Sequence, residues 1–347
     1  MKLSVLDLIP VRTGQTSAEA LRASRALLAE ADALGFERYW VAEHHNMSAV
    51  ASTVPAVLLP YLAGETNRIR LGSGGVMLPN HSALDVAEQF ALLGEMFPGR
   101  VDLGIGRAPG SDPVTSYLLR LGRTDAAEAG FERDVQLLRE LLGSGETPLG
   151  EAVELMLGGR PYAVRATPRA GSAVPVWLLG SSGYSVELAA RMGMPYVFAH
   201  HFGMPGVGAA LARYREAFVP SERFGEPTSF LPINVVVAAT EAEAADRALP
   251  QLLQMVRLRS GAPLGPQLTI EQAHAHQWTP QEEALRETIA AQWLIGTPGE
   301  VATRLRATLD EFSLDEAMVV PAAGAYAGEP FDAPGARAET LRQLAGS

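Results

Sequence analysis

The chain has 347 residues, 47% of them apolar and 19% charged, so it carries material for a large core and is not a disordered polymer. Its 28 basic and 39 acidic residues leave a formal charge of −11, which argues against nucleic acid or an anionic membrane as a partner. Without cysteine there are no disulfides, thiolate metal sites or cysteine nucleophiles, and a reducing cytoplasm is the expected compartment. The short apolar run after Lys2 is interrupted by Asp7, which does not suit a signal peptide, and no apolar stretch approaches the ~20 residues of a membrane helix.

Short β-rich runs alternate with helical ones. Residues 2–8 read as a first strand, and a helix follows over 16–34. Thr16 and Glu19 form a capping box at its start, and Gly35 lies just past its end. Strands are expected at 38–43, 69–73 and 101–106, with helices near 54–62, from Ser82 to Pro98, and near 124–142. Residues 143–173 break the rhythm and read as an inserted loop or hairpin. The alternation then resumes: strands at 174–179, 196–200, 231–238 and 316–321, helices at 184–192, 208–218, 242–259, from Thr297, and at 336–344.

Eight strands joined by helical crossovers imply parallel pairing, and that number favours a single (β/α)8 TIM barrel with insertions over an open doubly wound sheet. Residues 260–292 fall between the seventh strand and its helix. This long, irregular segment reads either as a mobile lid over the site or as a surface excursion.

Barrel enzymes carry their chemistry at the C-terminal ends of the strands. Glu43, His44 and His45 end the second strand here, Met77–His81 follow the third, Arg107 the fourth, Ser181–Ser185 the fifth, and His200 and His201 the sixth. Five of the seven histidines fall in this set, which concentrates titratable groups at one end of the barrel. Each alone could equally be a hydrogen-bonded structural histidine. Gly104, Gly106 and Gly110 have the wrong spacing for a dinucleotide fingerprint, and Pro109 interrupts them. Arg107 reads as an anion or carbonyl contact, or as a salt bridge across the mouth. The serines at 181–185 open a helix and suit either a phosphate or simple capping.

Three long segments then carry a resemblance: Tyr39–Asn46, Arg70–His81 and Pro98–Gly110. Over them the chain resembles the bacterial luciferase-like monooxygenases, and among these the stand-alone oxidoreductases. The likeness is looser through Trp177–Phe202 and at Ile295–Pro298. It implies a luciferase-like barrel that binds FMN, with the reduced form supplied by a separate reductase, or the deazaflavin F420 in related branches. In FMN members O2 adds at flavin C4a, and the peroxyflavin oxidises an aldehyde, ketone or other small organic substrate. Residue by residue, the resemblance makes His44 the proton-transfer group, with Glu43 and His45 in support. It places Gly74, Gly75 and Val76 behind the flavin ring, with a cis peptide between the two glycines. Arg107 would meet the flavin's polar edge or phosphate, and Ser182, Gly183, Tyr184 and Ser185 the 5′-phosphate. His200 and His201 would line the substrate side, and a homodimer is expected. The reactive cysteine of bacterial luciferase has no counterpart, which counts against light emission.

Three other functions compete. One is an F420-dependent dehydrogenase or reductase of the same superfamily. Another is a metal-dependent hydrolase using Glu43, His44, His45 and His200, disfavoured because successive strand side chains face opposite ways. The third is a flavin-binding protein without catalysis.

Overall fold

A strand bordered by partners on both edges needs apolar residues on both faces, and the runs in this chain meet that demand. The computed structural model describes residues 1–64, 66–108, 112–120 and 130–346. In chain order the ring strands are β1 (Lys2–Asp7), β2 (Arg38–Val41), β3 (Arg70–Met77) and β4 (Val101–Gly106). After a hairpin of β5 (Val153–Leu157) and β6 (Arg160–Val164) come β7 (Val176–Gly180), β8 (Tyr196–Phe198), β9 (Ser229–Val237), β10 (Leu294–Gly296) and β11 (Glu316–Pro321). The ring runs β1-β2-β3-β4-β7-β8-β9-β11 and returns to β1, every pairing parallel. With β8 paired to β9 and β11 to β1 there is no open edge, so the fold is a single (β/α)8 barrel and the open-sheet alternative falls.

The helices pack outside the ring: α1 (Ser17–Ala33), α2 (Pro55–Ala63), α3 (Ala83–Met96), α4 (Pro113–Leu119), α5 (Phe131–Leu141), α6 (Gly183–Arg191), α7 (Val207–Ala217), α8 (Glu241–Ser260), α9 (Ile270–His274), α10 (Pro280–Ala290), α11 (Pro298–Phe312) and α12 (Gly335–Ala345). The capping box expected at Thr16 and Glu19 is formed in both directions. The first residues of the helix expected near 124–142, and Pro109 and Gly110 of the glycine motif, lie outside the described residues. Among the described residues no helix is long and apolar enough to cross a membrane.

Two features depart from the sequence reading. Residues 260–292 are not irregular throughout. Capping boxes at Thr269 with Gln272 and Thr279 with Glu282 start α9 and α10. The three-residue β10, which was not separated from its surroundings, adds to the outer end of β9 through Leu294 opposite Val235.

Inside the ring the floor is ionic and the layer above it aromatic. Arg38 reaches Asp102 on β4 at 2.9 Å and Glu316 on β11 at 2.6 Å, and Ser4 Oγ donates to Glu316 at 2.6 Å. Arg70 adds a second cation on Asp102 at 2.6 Å. Burial alone would lower the Arg38 pKa, but Asp102 and Glu316 outweigh it and raise it, so the guanidinium stays charged. Above it, Trp40 packs edge-on against Trp177 and Phe230 with centroids 5.7 and 5.1 Å away. The strands around Trp40 leave no room beside it: a Cβ on Gly72 would stand 2.5 Å from Trp40 Nε1.

Removing one partner of a buried ion network strands the others without water. Arg38→Met is expected to lose about 3–5 kcal/mol of unfolding free energy, read from urea denaturation. A loss under about 1 kcal/mol would show that the floor does not depend on this cation.

Candidate active site

Strand alternation divides the end of β2 between two environments. Positions 38 and 40 face the barrel interior, and the same parity carries His44 to the mouth. The His44 N–H donates to the Ser52 carbonyl at 3.0 Å, and Ser52 Oγ donates to the Ala42 carbonyl at 2.5 Å, so the chain beyond β2 is pinned on both sides of Glu43. His44 lines a cavity of about 620 Å³ at the C-terminal end of the ring. Most of that lining is apolar, including Leu6, Leu8, Met47, Met77 and Val320.

Glu43 points elsewhere. One carboxylate oxygen accepts from His45 Nε2 at 2.7 Å and from His81 Nε2 at 2.8 Å, and the other accepts the Met77 N–H at 2.9 Å. Burial would raise the Glu43 pKa, but His81, His45 and the Met77 amide outweigh it and hold it below the usual carboxylate range. Burial likewise opposes the charge on His81, and Glu43 reverses that, raising its pKa. His44 is thus the one member of the Glu43, His44 and His45 set at the cavity. The other two form a bracket that ties β2 to the end of β3.

His81 was read only as part of a motif, and its partnership with Glu43 was missed. The donor atoms of Glu43, His45 and His81 lie within 4.8 Å of one another, although both imidazoles donate to one carboxylate oxygen. The four residues of the hydrolase alternative do not converge: His44 leaves the bracket that Glu43 and His45 share, and His200 lies beyond β8.

His200 and His201 sit in a short 3-10 turn, His200–Phe202, that follows β8. The Nδ1 atoms of His44, His200 and His201 are all buried and, among the described residues, without a hydrogen-bond partner. Burial lowers the pKa of all three. His201 is pushed down to about 3, first by burial and then by its neighbours His200 and His44. Its carbonyl is held by Asn234 Nδ2 at 2.7 Å, and its ring stacks at 4.2 Å on Phe202, a cavity residue. The site therefore holds a cluster of neutral imidazoles beside an apolar cavity.

The expected cofactor residues form a second group. The Gly74–Gly75 peptide is cis, and the β3–β4 register shifts between Ser73 and Val76. A Cβ at Gly74 would meet Leu6 Cδ1 at 2.8 Å, and one at Gly75 would meet the Gly104 carbonyl oxygen at 2.8 Å, so this stretch presents bare backbone. Val76 is buried in the main apolar core. On the neighbouring strand ends, the Arg107 guanidinium lies over the Tyr184 ring at 4.4 Å from its centroid. Ser182 occupies the N-cap of α6 without making a side-chain cap bond, and its Oγ is 3.4 Å from Ser185 Oγ. The amino end of α6, the two hydroxyls and the Arg107 guanidinium over Tyr184 are all contributed within or against the first turn of one helix, a set of groups that suits a phosphate. The sequence reading overlooked one wall of the cavity, Gln251 and Gln254 on α8. Their i, i+3, i+7 spacing with Leu258 on an amphipathic helix was the available signal.

The fold and the site together define an oxidoreductase barrel of the luciferase-like class. The family model for luciferase-like monooxygenases matches residues 1–316, and the chain belongs to that family. It is 39% identical over 318 residues to a luciferase-like monooxygenase of Escherichia coli K12, covering 91% of this chain and 90% of that protein. It is also 39% identical over 317 residues to the protein YvbT of Bacillus subtilis, covering 91% and 90%. The crystal structure of apo-MsnO8 superposes with a TM-score of 0.82 at 33% identity, covering 99% of this chain and 97% of that one.

His201 also sets a pH dependence. Its folded pKa of about 3 lies below the ordinary histidine value of 6.5, so the unfolded chain binds the extra proton between these limits. The stabilisation is complete above about pH 6.5 and is lost progressively as pH falls towards 3. Between pH 7 and 5 the protein is expected to lose about 2 kcal/mol through this group. His201→Gln should flatten that part of the stability curve in urea melts, and an unchanged slope would contradict the assignment.

Proposed function

We propose that this chain is a flavin-dependent monooxygenase that uses reduced FMN and O2 to oxidise a small organic substrate such as an aldehyde or ketone. The observation that carries the reading is the neutral, unpartnered His44 imidazole at an apolar cavity, beside strand ends that present bare glycine backbone. A planar ring system needs such a side-chain-free surface, and a proton-transfer group needs a free nitrogen. Bound reduced FMN would supply the electrons that activate O2.

The chain's own residues would do the rest. Ser182, Ser185 and the amino end of α6 would hold the phosphate, with Arg107, stacked on Tyr184, as counter-charge. Gly74 and Gly75 would let the backbone approach the ring. His44 would hold or release a proton on its imidazole, and its burial keeps it neutral. The Glu43 bracket would fix the backbone on either side of it. His200 and His201 would bound the substrate side, and the apolar walls would exclude water. A separate reductase would deliver reduced flavin, and the working form would be a homodimer.

Anaerobic titration with reduced FMN and with F420, followed by O2 and a panel of carbonyl compounds, tests the reading. Preferential FMN binding and O2-dependent substrate oxidation are expected, whereas F420 binding without O2 use would replace oxygenation by hydride transfer. His44→Gln is expected to lower turnover by roughly 10²–10⁴-fold with FMN affinity nearly unchanged. Arg107→Ala should do the reverse, weakening FMN binding first, and equal effects of the two variants on both quantities would refute this division of labour.

A further inference from the structure

Asn46 ends the motif that carries Glu43, His44 and His45, and it takes no part in the Glu43 bracket. Its backbone lies in the left-handed region at φ 51°, which asparagine tolerates better than most residues with a side chain. Its amide bonds a distant segment: Nδ2 donates to Thr115 Oγ1 at 3.0 Å and to Asp112 Oδ2 at 3.3 Å. Those two residues form the cap of α4. Asp112 Oδ1 accepts the Val114 and Thr115 N–H groups at 3.0 and 3.1 Å, and Thr115 Oγ1 donates to Asp112 Oδ2 at 2.5 Å. The hydroxyl thus spends its proton on Asp112 and accepts from Asn46 with a lone pair.

Two walls of the cavity meet at this contact. Met47, Ala49 and Val50 follow Asn46 on one side, and Ala108 and Asp112 stand on the other. The first wall is held from behind: the Val11 N–H donates to the Ala49 carbonyl at 2.9 Å, and the Ala51 N–H donates to the Ile9 carbonyl at 2.8 Å. The second is held more lightly. Val114, Tyr117 and Leu118 of α4 are 68, 60 and 66% exposed, and only Thr115 and Ser116 of that helix are buried. Its far end is tethered by Arg120 Nε, which donates to Asn80 Oδ1 at 3.1 Å. Among the described residues, the two Asn46 bonds are the only hydrogen bonds that join residues 44–50 to α4.

We propose that Asn46 is a latch on the cavity. While its amide holds Thr115 and Asp112, the wall between Met47 and Asp112 is closed. When the amide lets go, α4 moves about its Arg120 tether and a ligand passes between the two segments. Asn46 and Asp112 are both exposed, so water replaces the amide as it leaves and opening is cheap. The passage of substrate rests on the proposed reading of this cavity as the substrate site, whereas the latch itself does not.

Hydrogen exchange of the full chain, read by mass spectrometry, tests the latch. Asn46→Gly keeps the left-handed backbone accessible and removes the amide, and Thr115→Val removes the hydroxyl on the other side. Each is expected to speed exchange over residues 112–120 roughly 3–10-fold and to leave β1 and β3 unchanged. The double variant should add nothing to either single one, because both break the same contact. Stopped-flow mixing with 1-aminoanthracene, a neutral apolar fluorophore, reads passage into the cavity. Both variants are expected to raise its entry and release rates together with its affinity nearly unchanged, which loss of a residue that merely touches the ligand would not do. Unchanged exchange over residues 112–120 would overturn the inference, as would faster exchange with unaltered probe rates, or single effects that simply add. A probe that binds none of the chains while exchange still rises would instead sink the substrate-site reading, and the gate with it, by a result that the other outcomes do not share.

Discussion

The barrel depends on a single buried cation. Arg38 belongs to β2, and its two carboxylate partners sit on β4 and β11, each two places away around the ring and in opposite directions. Backbone pairing joins only adjacent strands, so this side chain fixes distances that the ladder does not. Taking three charges out of water is costly, and their mutual attraction repays it only when the geometry is good and the remaining lone pairs are used. Those conditions hold here: Arg70 takes the second oxygen of Asp102, and Ser4 shares Glu316 with Arg38.

What sits on that floor follows from it. The guanidinium lies 5.1 and 5.2 Å from the Trp177 and Phe230 ring centroids, so the same cation that ties the strands also seats the aromatic layer. Trp40 completes the layer and fills the ring to the walls. The strand beside it must then be nearly free of side chains at the contact, which is why Gly72 cannot carry a Cβ. One level up, the same strand presents Gly74 and Gly75. The bare backbone of Gly74 and Gly75 is thus continuous with the packing demand below it.

The barrel was legible because its signals are local. Strand runs, capping residues such as Thr16 with Glu19, and glycines after helices each report on a few neighbouring positions, and eight repetitions specify closure. The misses were of two kinds. The Thr269 and Thr279 caps were present as local signals but were passed over inside a stretch rich in Gly and Pro, while β10 spans only three residues and carries no alternation to read. The Glu43–His81 bond and the glutamine wall were harder. They join residues distant in sequence or set apart from the strand ends, and neither polarity nor spacing along one segment reveals which of them will meet. His44 stood out early only because the strand-end position and the family likeness pointed to the same residue.

With His44 in its proposed role, the division at the end of β2 would let one short segment serve two opposed needs. A proton-transfer imidazole should be neutral and unengaged, whereas a structural tie gains from charge and full hydrogen bonding. Side by side, these demands would conflict, since an ionised Glu43 bonded to His44 would raise its pKa and occupy its nitrogen. Alternation removes the conflict by sending Glu43 to His45 and His81 while His44 enters the cavity. What remains of Glu43 at His44 is a through-space influence that only partly opposes burial. The backbone of β2 is therefore locked by charge on one face, and the imidazole on the other is held in place without being tied up.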